Sequence, residues 1–167
     1  MLKKLTEILI SNLPVNGIEF IEEAHGTHRF VERRRDRGEM PFAFSFHAKT
    51  DSLKEVLHPE YRDFPRLDIE GTISMKGVTE DVPMKGNVEI SFFRKRQIVY
   101  NFDFKARGGI TYHFHGHKDL SVFQLLKSIT TLYGEVVNTK TGKMISTTVS
   151  FLDFRDLPKV LKSIKLR

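Results

Sequence analysis

The stretch "MPFAFSFHAKT" places Phe42, Phe44 and Phe46 at every second position, and that period of two recurs along most of the chain. "PRLDIEGTISMKG" aligns Leu67, Ile69, Ile73 and Met75, and "GNVEISFF" aligns Val88, Ile90 and Phe92. "QIVYNFDFKA" aligns Ile98, Tyr100, Phe102 and Phe104, and "ITYHFHGHK" follows a turn at Gly108–Gly109. An earlier strand is read in "GIEFIEEAHGTHRFVE", and two later ones in "TTLYGEVVN" and "KMISTTVSFLDF". Successive side chains of a strand point to opposite faces, so each segment has one apolar face to bury. About eight such strands joined by short turns pair antiparallel, and closing them into a barrel removes exposed edges. The pattern predicts a mainly β fold, an antiparallel up-and-down, lipocalin-like barrel. A chain of 167 residues without a linker or low-complexity run fits one domain spanning 1–167.

Three segments read as helices. Leu2, Leu5, Leu9 and Leu13 recur near helical spacing in 1–14, ahead of Pro14 and Gly17. "DSLKEVLHPEYRDF" opens on Asp51 and Ser52 as caps and joins strands two and three. Residues 156–167 carry Leu157, Val160, Leu161 and Ile164 on one side and Lys159, Lys162 and Lys165 on the other, a basic amphipathic helix. In an up-and-down meander alternate loops share an end. "RRRDRG", "KARGG" and the turn at Thr141–Gly142 therefore belong to one rim. The Ser52 helix, "RKR", the segment after Lys118 and both terminal helices belong to the other.

The absence of cysteine removes disulfides, thiolate metal sites and cysteine nucleophiles, and fits a reducing compartment. Polar residues break the N-terminal apolar run before a signal-peptide core forms, which predicts a cytoplasmic protein. No apolar stretch is long enough for a transmembrane helix. A net charge of +6 is compatible with an anionic partner and equally with ordinary solubilising charge.

Histidine recurs at alternate positions in "TYHFHGHKD", so His113, His115 and His117 share one strand face and Tyr112, Phe114 and Gly116 the other. Three imidazoles in a row suggest a metal site, to which His47 or His28 would add a ligand from another strand. If the aromatic face points inward, the histidines and His47 point outward, where a dry catalytic pocket cannot form. His117 with Asp119 is the remaining dyad, and it lacks a nucleophile in a strained turn. Of the basic clusters, "RRRDR" at Arg33–Arg37 and "RKR" at Arg94–Arg96 fall on opposite rims, and the aromatics are spent on inward faces. This disfavours nucleic acid, which wants basic residues interleaved with exposed aromatics or a continuous basic stripe, and leaves peripheral contact with an anionic membrane open.

The chain carries 14 phenylalanines, which alternation sends to the barrel interior. A barrel of eight strands is either filled by its side chains or holds one small ligand. Large residues favour filling, whereas Gly71, Gly86 and Gly116 are inward positions where small residues leave room. The sequence leaves both open.

In "YHFHGHKDL", "TTLYGEV", "VSFLDFRDLPKVLKSIKLR", "PFAFSF" and "LDIEGTISMKGV", the chain resembles the accessory β domain of long cholesterol-oxidase-like proteins of the glucose–methanol–choline oxidoreductase group. On the sixth strand the match rests on Tyr112, Phe114, Gly116 and Lys118. The chain has no dinucleotide fingerprint, so the resemblance does not bring the oxidase activity with it. It implies a module associated with lipid or sterol metabolism.

The reading favoured by the sequence is a non-catalytic barrel, without a cofactor, that binds an apolar ligand such as a lipid, sterol or fatty acid, or serves as accessory module to a lipid-metabolising enzyme. Candidate lining residues are Phe44, Phe46, Phe92, Tyr100, Phe102, Phe104, Tyr112 and Phe114, with Tyr100 or Tyr112 as polar handles. The alternative is a small enzyme, metal-assisted through His113, His115 and His117. A third reading is an anionic-surface or nucleic-acid binder.

Overall fold

The structure is a computed structural model that describes residues 18–50, 66–91, 95–120, 130–151 and 165–166. Eight antiparallel strands form a closed barrel: β1 (Ile18–Phe30), β2 (Met40–Thr50), β3 (Arg66–Met75), β4 (Thr79–Ser91), β5 (Gln97–Lys105), β6 (Thr111–Asp119), β7 (Thr131–Asn138) and β8 (Met144–Phe151). Each strand pairs with the next in sequence, and β1 closes the circle by pairing with β2 and β8. A two-residue strand, β9 (Lys165–Leu166), pairs with Ile18 and Glu19. This corrects the helix expected over 156–167, whose final turn would include these two residues; their backbone is extended and engaged on the edge of β1. The rest of that segment, and the helices expected at 1–14 and after Ser52, lie outside the described residues.

The rims divide as alternation of loops requires. The β1–β2, β3–β4, β5–β6 and β7–β8 turns share the first rim, and each contains one glycine at positive φ: Gly38, Gly77, Gly109 and Gly142. That left-handed conformation costs other L-residues energy, so glycine fixes the four reversals. The second rim gathers the opposite strand ends, including Ile18, Thr50, Arg66, Ser91, Asp119, Thr131 and Phe151.

One strand is longer than the alternation suggests. β4 begins at Thr79 instead of Gly86, through "TEDVPMK", where Glu80, Asp81 and Pro83 obscure the period of two. Its register shifts against β3 between Ile73 and Met75, and Asp81 takes φ 47°, the kink of a bulged strand. Pro83 faces outward opposite Thr72, while Val82, Met84 and Val88 are buried.

Candidate functional site

The inward faces are those read from the period of two, and they fill the barrel. Phe42 and Phe44 on β2 meet Phe114 on β6 at centroid distances of 5.7 and 6.0 Å. β2 and β6 stand opposite each other, four strands apart in either direction round the sheet. Phe102 stacks on Phe114 at 4.5 Å and meets Phe44 at 5.5 Å, so rings in favourable contact span the cross-section. Phe46 packs on Tyr100 and Phe104 on Tyr112. The candidates Phe44, Phe46, Tyr100, Phe102, Phe104, Tyr112 and Phe114 are all buried, and the rings of Phe44, Phe102 and Phe114 meet across the middle of the barrel. Phe92 lies outside the described residues.

The glycines expected to leave room do not. A Cβ on Gly71 would fall 1.9 Å from the Ser45 carbonyl oxygen, and one on Gly86 would fall 2.0 Å from that of Asn101. The neighbouring backbone occupies that space, which lets the strands coil tightly at the barrel's corners. At Gly116 and its partner Gly134 the space is taken by the Phe114 ring, within 2.7 and 2.5 Å of where a Cβ would stand.

Towards the second rim the interior changes chemistry. Glu22 on β1 accepts hydrogen bonds from Lys118 Nζ at 2.5 Å and from the Tyr100 hydroxyl at 3.1 Å, and the Lys118 ammonium lies 4.9 Å from the Tyr100 ring centre. β1 and β5 are opposite walls, so this cluster is a polar strut across the barrel. All three residues are buried, at 7, 2 and 1% exposure for Glu22, Lys118 and Tyr100. Burial, followed by the adjacent Glu22 carboxylate, pushes the Tyr100 hydroxyl well above its ordinary pKa. On β8, Thr148 and Ser150 also turn buried hydroxyls inward, with no hydrogen-bond partner among the described residues. Beyond the strut the half-buried side chains of Phe20, Ile90 and Ile98 pack against the core as an apolar collar.

Sequence reasoning selected Tyr100 as a polar handle and missed its partners. Glu22 has the strand parity of Phe20 and Ala24, and Lys118 that of Phe114 and Gly116. Two charged residues on apolar faces were the available signal; their meeting, across 96 positions of sequence, was not.

The histidine row faces outward. His113 Nδ1 lies 2.6 Å from Asp103 Oδ1 and His115 Nδ1 lies 2.7 Å from Asn101 Oδ1, both on β5, while His117 packs on Tyr133. His115, His117 and Tyr133 line a shallow groove on the outer wall. Asp119 accepts from Gln97 instead of facing His117. His47 lies outside near Glu19, and among the described residues no three His, Asp or Glu side chains are grouped to hold a metal ion. His28 is inside the barrel, 2.8 Å from the Lys76 carbonyl oxygen and 2.9 Å from Ser146 Oγ. Burial lowers its pKa, partly offset by the Lys76 hydrogen bond.

The basic clusters stand at opposite ends. Arg33–Arg37 form the exposed β1–β2 loop on the first rim, where Arg29 holds Asp36 and Arg35 covers the buried Phe30 ring. Lys95 and Arg96 lie on the second rim. Comparison of the chain with known protein families, with curated proteins and with solved structures finds no match in any of them.

Proposed function

We propose that this barrel is a non-catalytic, lipocalin-like binding protein that takes an apolar ligand carrying one polar group at its second rim. The observation that carries the reading is the strut of Glu22, Tyr100 and Lys118. Desolvating a charge pair inside an apolar barrel costs several kcal/mol per ion before attraction repays it, on the order given for buried ion pairs, so hydrophobic residues would fill the same space at least as well. A buried charged cluster beneath an apolar collar is the arrangement expected of a binding end: the collar receives the hydrocarbon, and the strut with the Ser150 hydroxyl receives the polar group. The aromatic plug limits depth, so the ligand rests above the strut. A lipid, sterol or fatty acid fits this description, and the resemblance to the accessory domain of cholesterol-oxidase-like proteins supports the same ligand class.

The test is titration of the delipidated protein with a fluorescent fatty acid, followed by competition with the unlabelled acid, the corresponding alcohol and a sterol. Saturable binding that weakens in Ile98→Asp, at the collar, and changes its preference among head groups in Lys118→Met supports the proposal. An absence of saturable binding to all three ligands overturns it.

A further inference from the structure

The first rim is a different kind of surface. Its turns are knitted into a ring: Val31 N–H donates to the Ile145 carbonyl, Thr139 N–H to that of Thr111, and the Arg107 guanidinium reaches the Glu80 carbonyl. Hydrogen bonds of this kind hold the turns in fixed relation to one another. Across segments 31–39, 76–81, 105–110 and 139–143 the rim carries nine lysines and arginines, every one exposed. They come from all four turns: four arginines in 33–37, Lys76 in the second, Lys105 and Arg107 in the third, Lys140 and Lys143 in the fourth. Five acidic residues stand against them, and one, Asp36, is already held by Arg29.

Among these cations stand exposed apolar side chains. Val31, Ile110 and Met144 are 49, 44 and 40% exposed, and they flank three different turns of the same rim, Val31 just after β1, Ile110 just before β6 and Met144 at the start of β8. Exposed apolar side chains within a basic ring match a bilayer interface, where the apolar residues enter the acyl boundary and the cations meet anionic headgroups. A single-stranded nucleic acid would call for exposed aromatic platforms. Among the described residues the aromatics toward this rim, Phe30, Phe42, Phe104 and Tyr112, are all buried, Phe30 beneath Arg35.

We propose that the first rim docks on anionic membrane surfaces, with Val31, Ile110 and Met144 as its insertion points. This surface is at the opposite end from the apolar-ligand site, and the proposal is independent of that reading. The experiment is co-sedimentation of the full chain with vesicles of phosphatidylcholine alone and of phosphatidylcholine mixed with phosphatidylglycerol, over a range of salt. The expected result is sedimentation with the mixed vesicles only, weakened by salt. Arg33→Ala, Arg34→Ala and Arg37→Ala each lower the partition coefficient by roughly fivefold, the effect of one basic residue at an anionic surface. They spare the Arg29–Asp36 pair and the cover over Phe30. Ile110→Ser with Met144→Ser lowers partitioning further at constant charge. Equal sedimentation with both vesicle types, failure to sediment with either, or indifference to the Ile110 and Met144 substitutions overturns the proposal. So does capture of a single-stranded oligonucleotide with the same arginine dependence in the absence of vesicle binding.

Discussion

The two ends of this barrel keep their charges in opposite places. At the first rim cations stand on turn tips in water, where each is solvated and no burial cost arises. At the second the decisive charges are inside, Glu22 and Lys118 held at 2.5 Å between opposite walls. An exposed charge is nearly free to change; a buried pair is bound into the stability of the whole barrel. Substitutions at the first end therefore act one at a time, whereas the second must change as a unit.

The largest effect that would break the comparison is at the strut. Lys118→Met or Glu22→Leu alone leaves a buried charge unpaired and should destabilise by about 3–5 kcal/mol in urea unfolding, while the double variant recovers most of that loss. Single variants costing under about 1 kcal/mol would mean that the charges at this end are solvated after all. Next is the plug between the ends. Phe114→Ala should cost about 3–5 kcal/mol, and Gly134→Ala, which drives a methyl into the Phe114 ring, about 1–3 kcal/mol by overpacking.

A smaller and pH-dependent effect sharpens the contrast. Tyr100 has a raised pKa in the fold, so its stabilisation is complete below its ordinary value of 10.0 and is lost as pH rises past it, because only the unfolded chain releases the proton readily. His28, with a lowered pKa, acts in the other direction: its contribution is complete above 6.5 and is lost as pH falls below that value. Stability measured against pH should therefore fall on both flanks, and Tyr100→Phe should remove the alkaline part attributable to this group. The smallest effect is expected at the first rim. Arg34→Ala or Lys140→Ala should change stability by no more than about 0.5 kcal/mol.

Strand parity made most of this architecture legible. It placed Phe42, Phe44, Phe46, Phe102, Phe104 and Phe114 inside, turned His113, His115 and His117 outward and put the loops at Arg33–Arg37, Gly108–Gly109 and Thr141–Gly142 on one rim, because a closed antiparallel sheet leaves little freedom once the period of two is read. The first half of β4 was hidden because a bulge and Pro83 break the period locally. The cluster at Glu22 was hidden for another reason: parity states which way a residue points, whereas the partner it meets across a barrel depends on stagger, which no single strand encodes. For the same reason Gly71 and Gly86 read as vacancies although the neighbouring backbone fills them.

The way the barrel closes has a consequence for how it forms. Pairings between consecutive strands join stretches close together in sequence, and the distant pairings all fall along β1, which meets β8 over His25–Phe30 and Ser146–Phe151 and β9 at Ile18 and Glu19. The His28 to Ser146 hydrogen bond, spanning 118 positions, lies in that seam. The meander can assemble hairpin by hairpin with small loop-closure entropies, and the cost of distant pairing falls on the seam along β1. The last stitch in folding is thus also the first place for the native barrel to open, and amide protons along β8 facing β1 should exchange before those between β4 and β5.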